Sequence, residues 1–97
     1  MRKEGFGYFL TKYFAEHLPV QIGASHNTVQ SYRDAFVQML EFFKLRYRID
    51  PDKLSYSDFT PERIEAFLSY LEEERGISIS TRNQRLAAIH SFFRYIQ

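Results

Sequence analysis

Six consecutive residues, Ser80, Thr81, Arg82, Asn83, Gln84 and Arg85, carry hydroxyls, amides and guanidiniums with no acid among them. Groups of this kind supply recognition rather than catalysis. Guanidiniums and hydroxyls suit phosphate oxygens, and side-chain amides suit the polar edges of bases. A second stretch repeats the theme with Ser25, Thr28, Gln30 and Ser31. Each stretch opens a predicted helix, with Ser25 and Ser80 as the capping hydroxyls and a threonine within the first turn. A helix start presents free N–H groups and a partial positive charge, so both starts suit phosphate, while Gln30, Ser31 and Gln84 project one turn further in, toward base edges. Hydroxyl caps open many helices for purely local reasons. What distinguishes these two is the basic sequence around them.

Other chemistries find no support in the chain. His17, His26 and His90 have no metal-like spacing to one another, and there is no cysteine, so neither a thiolate metal site nor a disulfide can form. The four glycines, at 5, 7, 23 and 76, make no phosphate-binding loop. Glu72, Glu73 and Glu74 are consecutive and fan around a helix end instead of converging. The reading is therefore no catalytic residue, no metal and no cofactor. No apolar run reaches the length of a membrane span, and Met-Arg-Lys-Glu-Gly at the start lacks the apolar core of a signal peptide. A soluble, cytoplasmic protein with no membrane partner is expected.

The elements that must position these residues are helical. Ninety-seven residues suffice for one core, and ten Phe and seven Tyr imply packing through bulky side chains. A first helix is predicted over 7–17 from Phe6, Phe9, Leu10, Tyr13, Phe14 and Leu18, with Pro19 stopping it and 21–24 a loop. The second, capped by Ser25, carries Val29, Tyr32, Phe36, Met39, Leu40 and Phe43 to about residue 46, with Asn27, Ser31, Asp34 and Gln38 opposite. Its basic end (Lys44, Arg46, Arg48) complements the helix macrodipole. Residues 49–59 form a connection that Leu54, Tyr56 and Phe59 tuck onto the core. Thr60-Pro61-Glu62 starts a third helix with Ile64, Phe67, Leu68 and Leu71 inward, and Gly76 supplies a left-handed stop. The final helix, 80–96, buries Leu86, Ile89, Phe93 and Ile96, leaving Ser80, Gln84, Ala87 and Ser91 outside. Small and amide side chains there allow close approach to another surface; an ordinary packing helix is the competing explanation. The fold class is all-α, a compact four-helix bundle.

Net charge is only +1, but it is polarised. Segment 1–24 is slightly basic (Arg2, Lys3 and Lys12 against Glu4 and Glu16), as is 25–49. Segment 50–79 holds eight of the twelve acids, and 80–97 holds Arg82, Arg85 and Arg94 with none.

Ser25-x-x-Thr28-x-x-x-Tyr32-x-x-x-Phe36, then Thr60-Pro61 opening an acidic helix, then Ser80-Thr81-x-Asn83-x-Arg85-Leu86-x-x-Ile89-x-x-Phe92-Phe93-x-Tyr95 resembles the N-terminal core-binding domain of tyrosine recombinases, or phage integrases. The resemblance covers about residues 6–97. It implies a SAM-like four-helix bundle that clamps one face of a recombination half-site in double-stranded DNA through its second and fourth helices. By position it implies DNA contacts from Thr28, Gln30, Ser31, Arg75, Ser80, Thr81, Gln84 and Arg85. It further implies that 1–97 is a single non-catalytic domain. The family's catalytic Arg, Lys, His-x-x-Arg and nucleophilic Tyr belong to a C-terminal domain, which would be a partner along with neighbouring recombinase subunits. None of the seven tyrosines here is that nucleophile: Tyr13 and Tyr32 fall on apolar stripes, Tyr56 in a connection and Tyr95 in the final helix. Arg82 departs from the family pattern, which places an aliphatic residue there. It leans toward the core face, and either bends out to a phosphate or pairs with an acid.

The competing class is a helical protein-interaction module using its acidic third helix or an exposed aromatic patch. The discriminating feature is whether Thr28, Ser31, Arg75, Gln84 and Arg85 gather on one concave face.

Overall fold

Ser25 sets the start of the longest element. In the computed structural model, which describes residues 5–97, its hydroxyl accepts the Thr28 N–H at 3.1 Å, and α2 then runs His26–Tyr47. Ala35, Phe36, Met39, Phe42 and Phe43 are its buried residues, while Val29, Tyr32 and Leu40 flank them half-buried. Residues 1–4, whose charges Arg2, Lys3 and Glu4 enter the sequence-level balance, lie outside the described residues.

Before α2, the chain is helical further than the sequence suggests. α1 spans Phe6–Lys12 and continues without a break as a π-helical segment, Tyr13–Gln21, with Pro19 inside it. The expectation that Pro19 ends the helix is therefore wrong. In an α-helix Pro19 would press on the carbonyl of Ala15 and forfeit the bond to it. Widening the turn relaxes that conflict, as the bond from the Ile22 N–H to the His17 carbonyl (2.8 Å, five residues back) illustrates. The helix stops instead at Gly23, whose φ of +73° lies where glycine is at ease, and the Ala24 N–H closes on the Leu18 carbonyl at 2.9 Å.

After α2, two single 3-10 turns (Pro51–Lys53 and Tyr56–Asp58) carry the connection across the core. Leu54 and Phe59 are buried as expected, with Phe59 stacked on Phe6 at 4.9 Å and 4.8 Å from Phe43; Tyr56 meets Phe6 edge-on, half-buried. α3 (Pro61–Glu74) begins as its sequence indicates, with Thr60 accepting the Arg63 N–H at 3.2 Å and Pro61 in the first turn. It ends at Gly76, φ +66°, where the Ile77 N–H returns to the Leu71 carbonyl at 3.2 Å.

α4 (Ile79–Tyr95) departs from expectation in two ways. Its cap is Ser78, whose hydroxyl accepts the Thr81 N–H at 3.1 Å; Ser80 already sits in the first turn, exposed. The left-handed turn at Gly76 releases the chain early enough for Ser78 to take the cap. Ser78→Ala should cost about 1 kcal/mol in chemical denaturation, whereas Ser80→Ala should stay within about 0.5 kcal/mol. Equal costs would restore Ser80 as the cap. The buried stripe is also rotated, centred on Ala88, Ile89 and Phe92, with Leu86, Phe93 and Ile96 at its margins. Ser91 accordingly turns inward, 2.7 Å from the hydroxyl of Tyr13, and does not share the outer face. Burial raises the Tyr13 phenol above its ordinary pKa, partly offset by the bond to Ser91.

Arg82 pairs with acids. Its Nη2 lies 2.8 Å from Glu65 and its Nε 2.8 Å from Glu72, one guanidinium spanning two α3 carboxylates that stand two turns apart. That ties the first turn of α4 to α3. Among the described residues there is no strand, and no helix is long and apolar enough to cross a membrane. The architecture is the expected all-α bundle, with α2 packed most extensively on α4 and α3 closing the other side of α4.

Candidate nucleic-acid interface

Packing α4 against α2 brings their outer faces to the two walls of one shallow groove of about 300 Å³. Asn27, Thr28, Ser31 and Tyr32 form the α2 wall; Gln84 and Ala87 form the other. The alanine keeps the groove open, and every other lining side chain carries a hydroxyl or an amide. Three of the sequence-predicted contacts, Thr28, Ser31 and Gln84, thus meet although Gln84 lies more than fifty residues from the other two in the chain.

The two helix starts share a Ser-x-x-Thr box. At α2 the Ser25 Oγ donates to the Thr28 Oγ1 at 3.0 Å while accepting the Thr28 N–H. At α4 Ser78 does the same for Thr81, at 3.1 Å in both bonds. In each box the serine proton is spent inside the cap, leaving the threonine O–H free to donate outward. The sequence-level pattern of two alike helix starts is therefore present, with its second copy beginning two residues earlier than Ser80.

Arg85 is fixed rather than free. Its Nε donates to Gln38 Oε1 at 3.1 Å and its Nη1 to the Ser31 carbonyl at 3.2 Å, so one half-buried guanidinium bridges α4 to α2 beside the groove. Gln38 in turn lines a larger cleft, about 610 Å³, between the ends of α2 and α3, and Arg75 is on that cleft's rim. Of the five residues that were to share one concave face, Thr28, Ser31 and Gln84 line the groove, Arg85 is bonded to its Ser31 wall, and Arg75 lines the neighbouring cleft instead.

The remaining sequence-predicted residues stand outside the groove. Gln30 points along α2 and donates to Asp34 at 3.1 Å; Ser80 and Thr81 lie on the first turn of α4 without lining the groove. Asn27 and Gln38 were legible as outer-face positions of α2, at i−4 and i+7 from Ser31, but nothing in the sequence marked Gln38 as the acceptor that seats Arg85. Other cations are occupied elsewhere: Arg63 lies over the Tyr47 ring at 4.4 Å and reaches the Asp58 carbonyl, and Arg82 is held by its two acids. Among the described residues no group of three His, Cys, Asp or Glu side chains could hold a metal ion.

Residues 10–97 match the family described as phage integrase, N-terminal SAM-like domain. The Sinorhizobium fredii protein y4rC, named as an integrase/recombinase, is 46% identical over 86 residues, which is 89% of this chain and 26% of that protein. The tyrosine recombinase XerC of Herpetosiphon aurantiacus is 34% identical over 84 residues, 87% of this chain and 26% of its own length. The tyrosine recombinase XerD of Bifidobacterium longum is 28% identical over 86 residues, 89% of this chain and 26% of that protein. The chain thus spans about a quarter of the length of these curated relatives. No solved structure matches it.

Proposed function

This chain belongs to the family of phage-integrase N-terminal SAM-like domains, and we propose that it is the non-catalytic, DNA-binding domain of a site-specific tyrosine recombinase, its 97 residues forming one domain that a C-terminal catalytic domain follows in the whole protein. It would lay α2 and α4 against the major groove of a half-site, and the catalytic domain would close on the opposite face. The carrying observation is the groove in which Thr28, Ser31 and Gln84 converge, with Arg85 bonded to its Ser31 wall and, through Gln38, to the cleft that Arg75 lines.

The chemistry fits a duplex. A major groove about 12 Å wide admits a helix. Gln84 and Ser31 carry the donors and acceptors that read base edges, whereas Arg75 and Arg85 suit phosphates. The threonine hydroxyls and free N–H groups of the two helix starts serve the same oxygens, Ser80 and Thr81 from the first turn of α4 and Gln30 from the early turns of α2. Neighbouring recombinase subunits on the same DNA are further partners in this reading. The interaction-module alternative loses ground because Glu65 and Glu72, two acids of α3, are already held by Arg82.

With few cations on this face, affinity for DNA of arbitrary sequence should fall near 10⁻⁴–10⁻⁶ M at physiological salt. The test is an amide chemical-shift titration with a short mixed-sequence duplex. Shifts gathered at Thr28, Ser31, Gln84 and Ala87, receding as salt rises from about 50 to 200 mM, are expected. A well-dispersed spectrum that does not move at low salt would overturn DNA binding by this domain.

A further inference from the structure

We propose that the cleft between the C-terminal ends of α2 and α3 is a second contact site, which holds backbone phosphates of the DNA beyond the α2–α4 groove through Lys44, Arg48 and Arg75. This rests on the DNA-binding reading and adds two residues, Lys44 and Arg48, that the macrodipole alone would otherwise explain.

Three observations carry it. The first is the company these cations keep. All three line a concavity of about 610 Å³ together with the apolar surfaces of Phe42, Leu45 and Tyr70. Cations near a helix C-terminus complement its macrodipole without bonding a carbonyl, and no hydrogen bond to a helix carbonyl commits any of these three side chains. Among the described residues Arg48 and Arg75 have no acid within ion-pair distance. Lys44 lies 3.8 Å from Asp50, with both side chains more than half exposed, and Glu41 is the one acid on the rim. A loose, solvent-screened pair of that kind yields readily to a phosphate.

The second observation is the backbone of Arg48. It has φ 61° and ψ 34°, and is the only non-glycine residue at positive φ among the described residues. It is the left-handed cap that ends α2, its N–H returning to the Lys44 carbonyl at 3.1 Å, a place that glycine takes freely and arginine only at a cost. An arginine at that cap keeps a cation at the cleft where a glycine would serve the turn alone.

The third is position. Gln38 lines this cleft and holds Arg85, which bonds the Ser31 carbonyl at the groove. Ser31 to Arg48 is about 25 Å along a helix, less than one turn of B-DNA at about 34 Å. One duplex can therefore meet both concavities.

The test is the slope of log K against log salt for the whole 97-residue chain on a mixed-sequence duplex. Arg48→Gly removes one charge while easing the backbone, so it should fold at least as well as the parent. Its slope should flatten by about 0.9, the contribution of one phosphate contact. The combined variant Lys44→Ala, Arg48→Gly, Arg75→Ala should flatten it by nearly three such contributions. It should also bind at least tenfold more weakly at low salt, with its ranking of different duplexes unchanged. Parent and variants sharing one slope, with the parent still binding, would overturn this site and leave the groove reading intact. A parent that binds no duplex would overturn both. Poly-glutamate binding more tightly than DNA, and lost in the combined variant, would instead assign the cleft to an acidic protein segment.

Discussion

Phe92→Ala should cost about 3–5 kcal/mol of folding free energy, the largest loss expected from any single substitution here. The ring is completely buried and sits at the junction of the bundle. It is 5.5 Å from Phe6, 5.3 Å from Tyr13 and 5.3 Å from Phe36, all edge-on, with Phe93 and Tyr95 adjoining on its own helix. The N-terminal helix and α2, both remote in sequence from α4, thus meet on one of its side chains. Edge-on aromatic contacts add about 0.5–1.5 kcal/mol each beyond the area they bury, and rigid rings cannot collapse into the space left behind. A domain of this size holds roughly 5–15 kcal/mol in all, so the variant should be marginal at room temperature. Urea unfolding followed by far-UV circular dichroism measures it: a lower midpoint with an unchanged slope is expected. Half-buried Phe93, changed to alanine in parallel, should lose clearly less. A Phe92 cost below about 1 kcal/mol would mean that the core does not close around this ring.

That ring also shows where sequence reading stops. Apolar spacing identified the final helix and named Phe93, because Leu86, Ile89, Phe93 and Ile96 form a clean stripe. With Phe92 adjacent, the wheel admits a face rotated by one residue. What selects the rotated face is long-range: Phe6, Tyr13 and Phe36 converge on Phe92, and Tyr13 draws Ser91 inward. Caps were legible where the signal was crowded, as at Thr60-Pro61 and Ser25, and misplaced where Ser78 and Ser80 compete. Pro19 misled because the rule for proline assumes α geometry, and a π-helical stretch evades it.

The candidate site was half legible for a similar reason. Outer-face positions follow from helical period, so Thr28, Ser31 and Gln84 could be named from spacing and resemblance alone. How two outer faces lie against each other is set by α2–α4 packing, which no local pattern encodes. Gln38 and Arg48 fall in that gap. One seats a partner forty-seven residues away, and the left-handed backbone of the other shows only in the fold.

Arg85 is the residue in which fold and proposed function are hardest to separate, and paired substitutions divide them. Its guanidinium has five N–H donors; Nε–H and one Nη1–H are committed to Gln38 and the Ser31 carbonyl, and the rest remain for a phosphate at the groove edge. A contact held in this way loses little freedom on binding. Arg85→Ala removes charge and bridge together. It should lower stability by roughly 1–2 kcal/mol, weaken duplex binding by about a hundredfold and flatten the salt slope by about 0.9. Arg85→Lys keeps the charge, but one ammonium cannot satisfy two acceptors set to suit a planar fork. It should therefore keep the parent's salt slope while binding about tenfold more weakly, because the remaining charge is no longer held in place. The readouts are the denaturation midpoint and the binding isotherm at several salt concentrations. If lysine binds as tightly as arginine, the bridge to α2 contributes nothing to recognition. If alanine leaves the slope unchanged while destabilising the fold, Arg85 is a strut alone, and the phosphate contact passes to Arg75 and the helix starts.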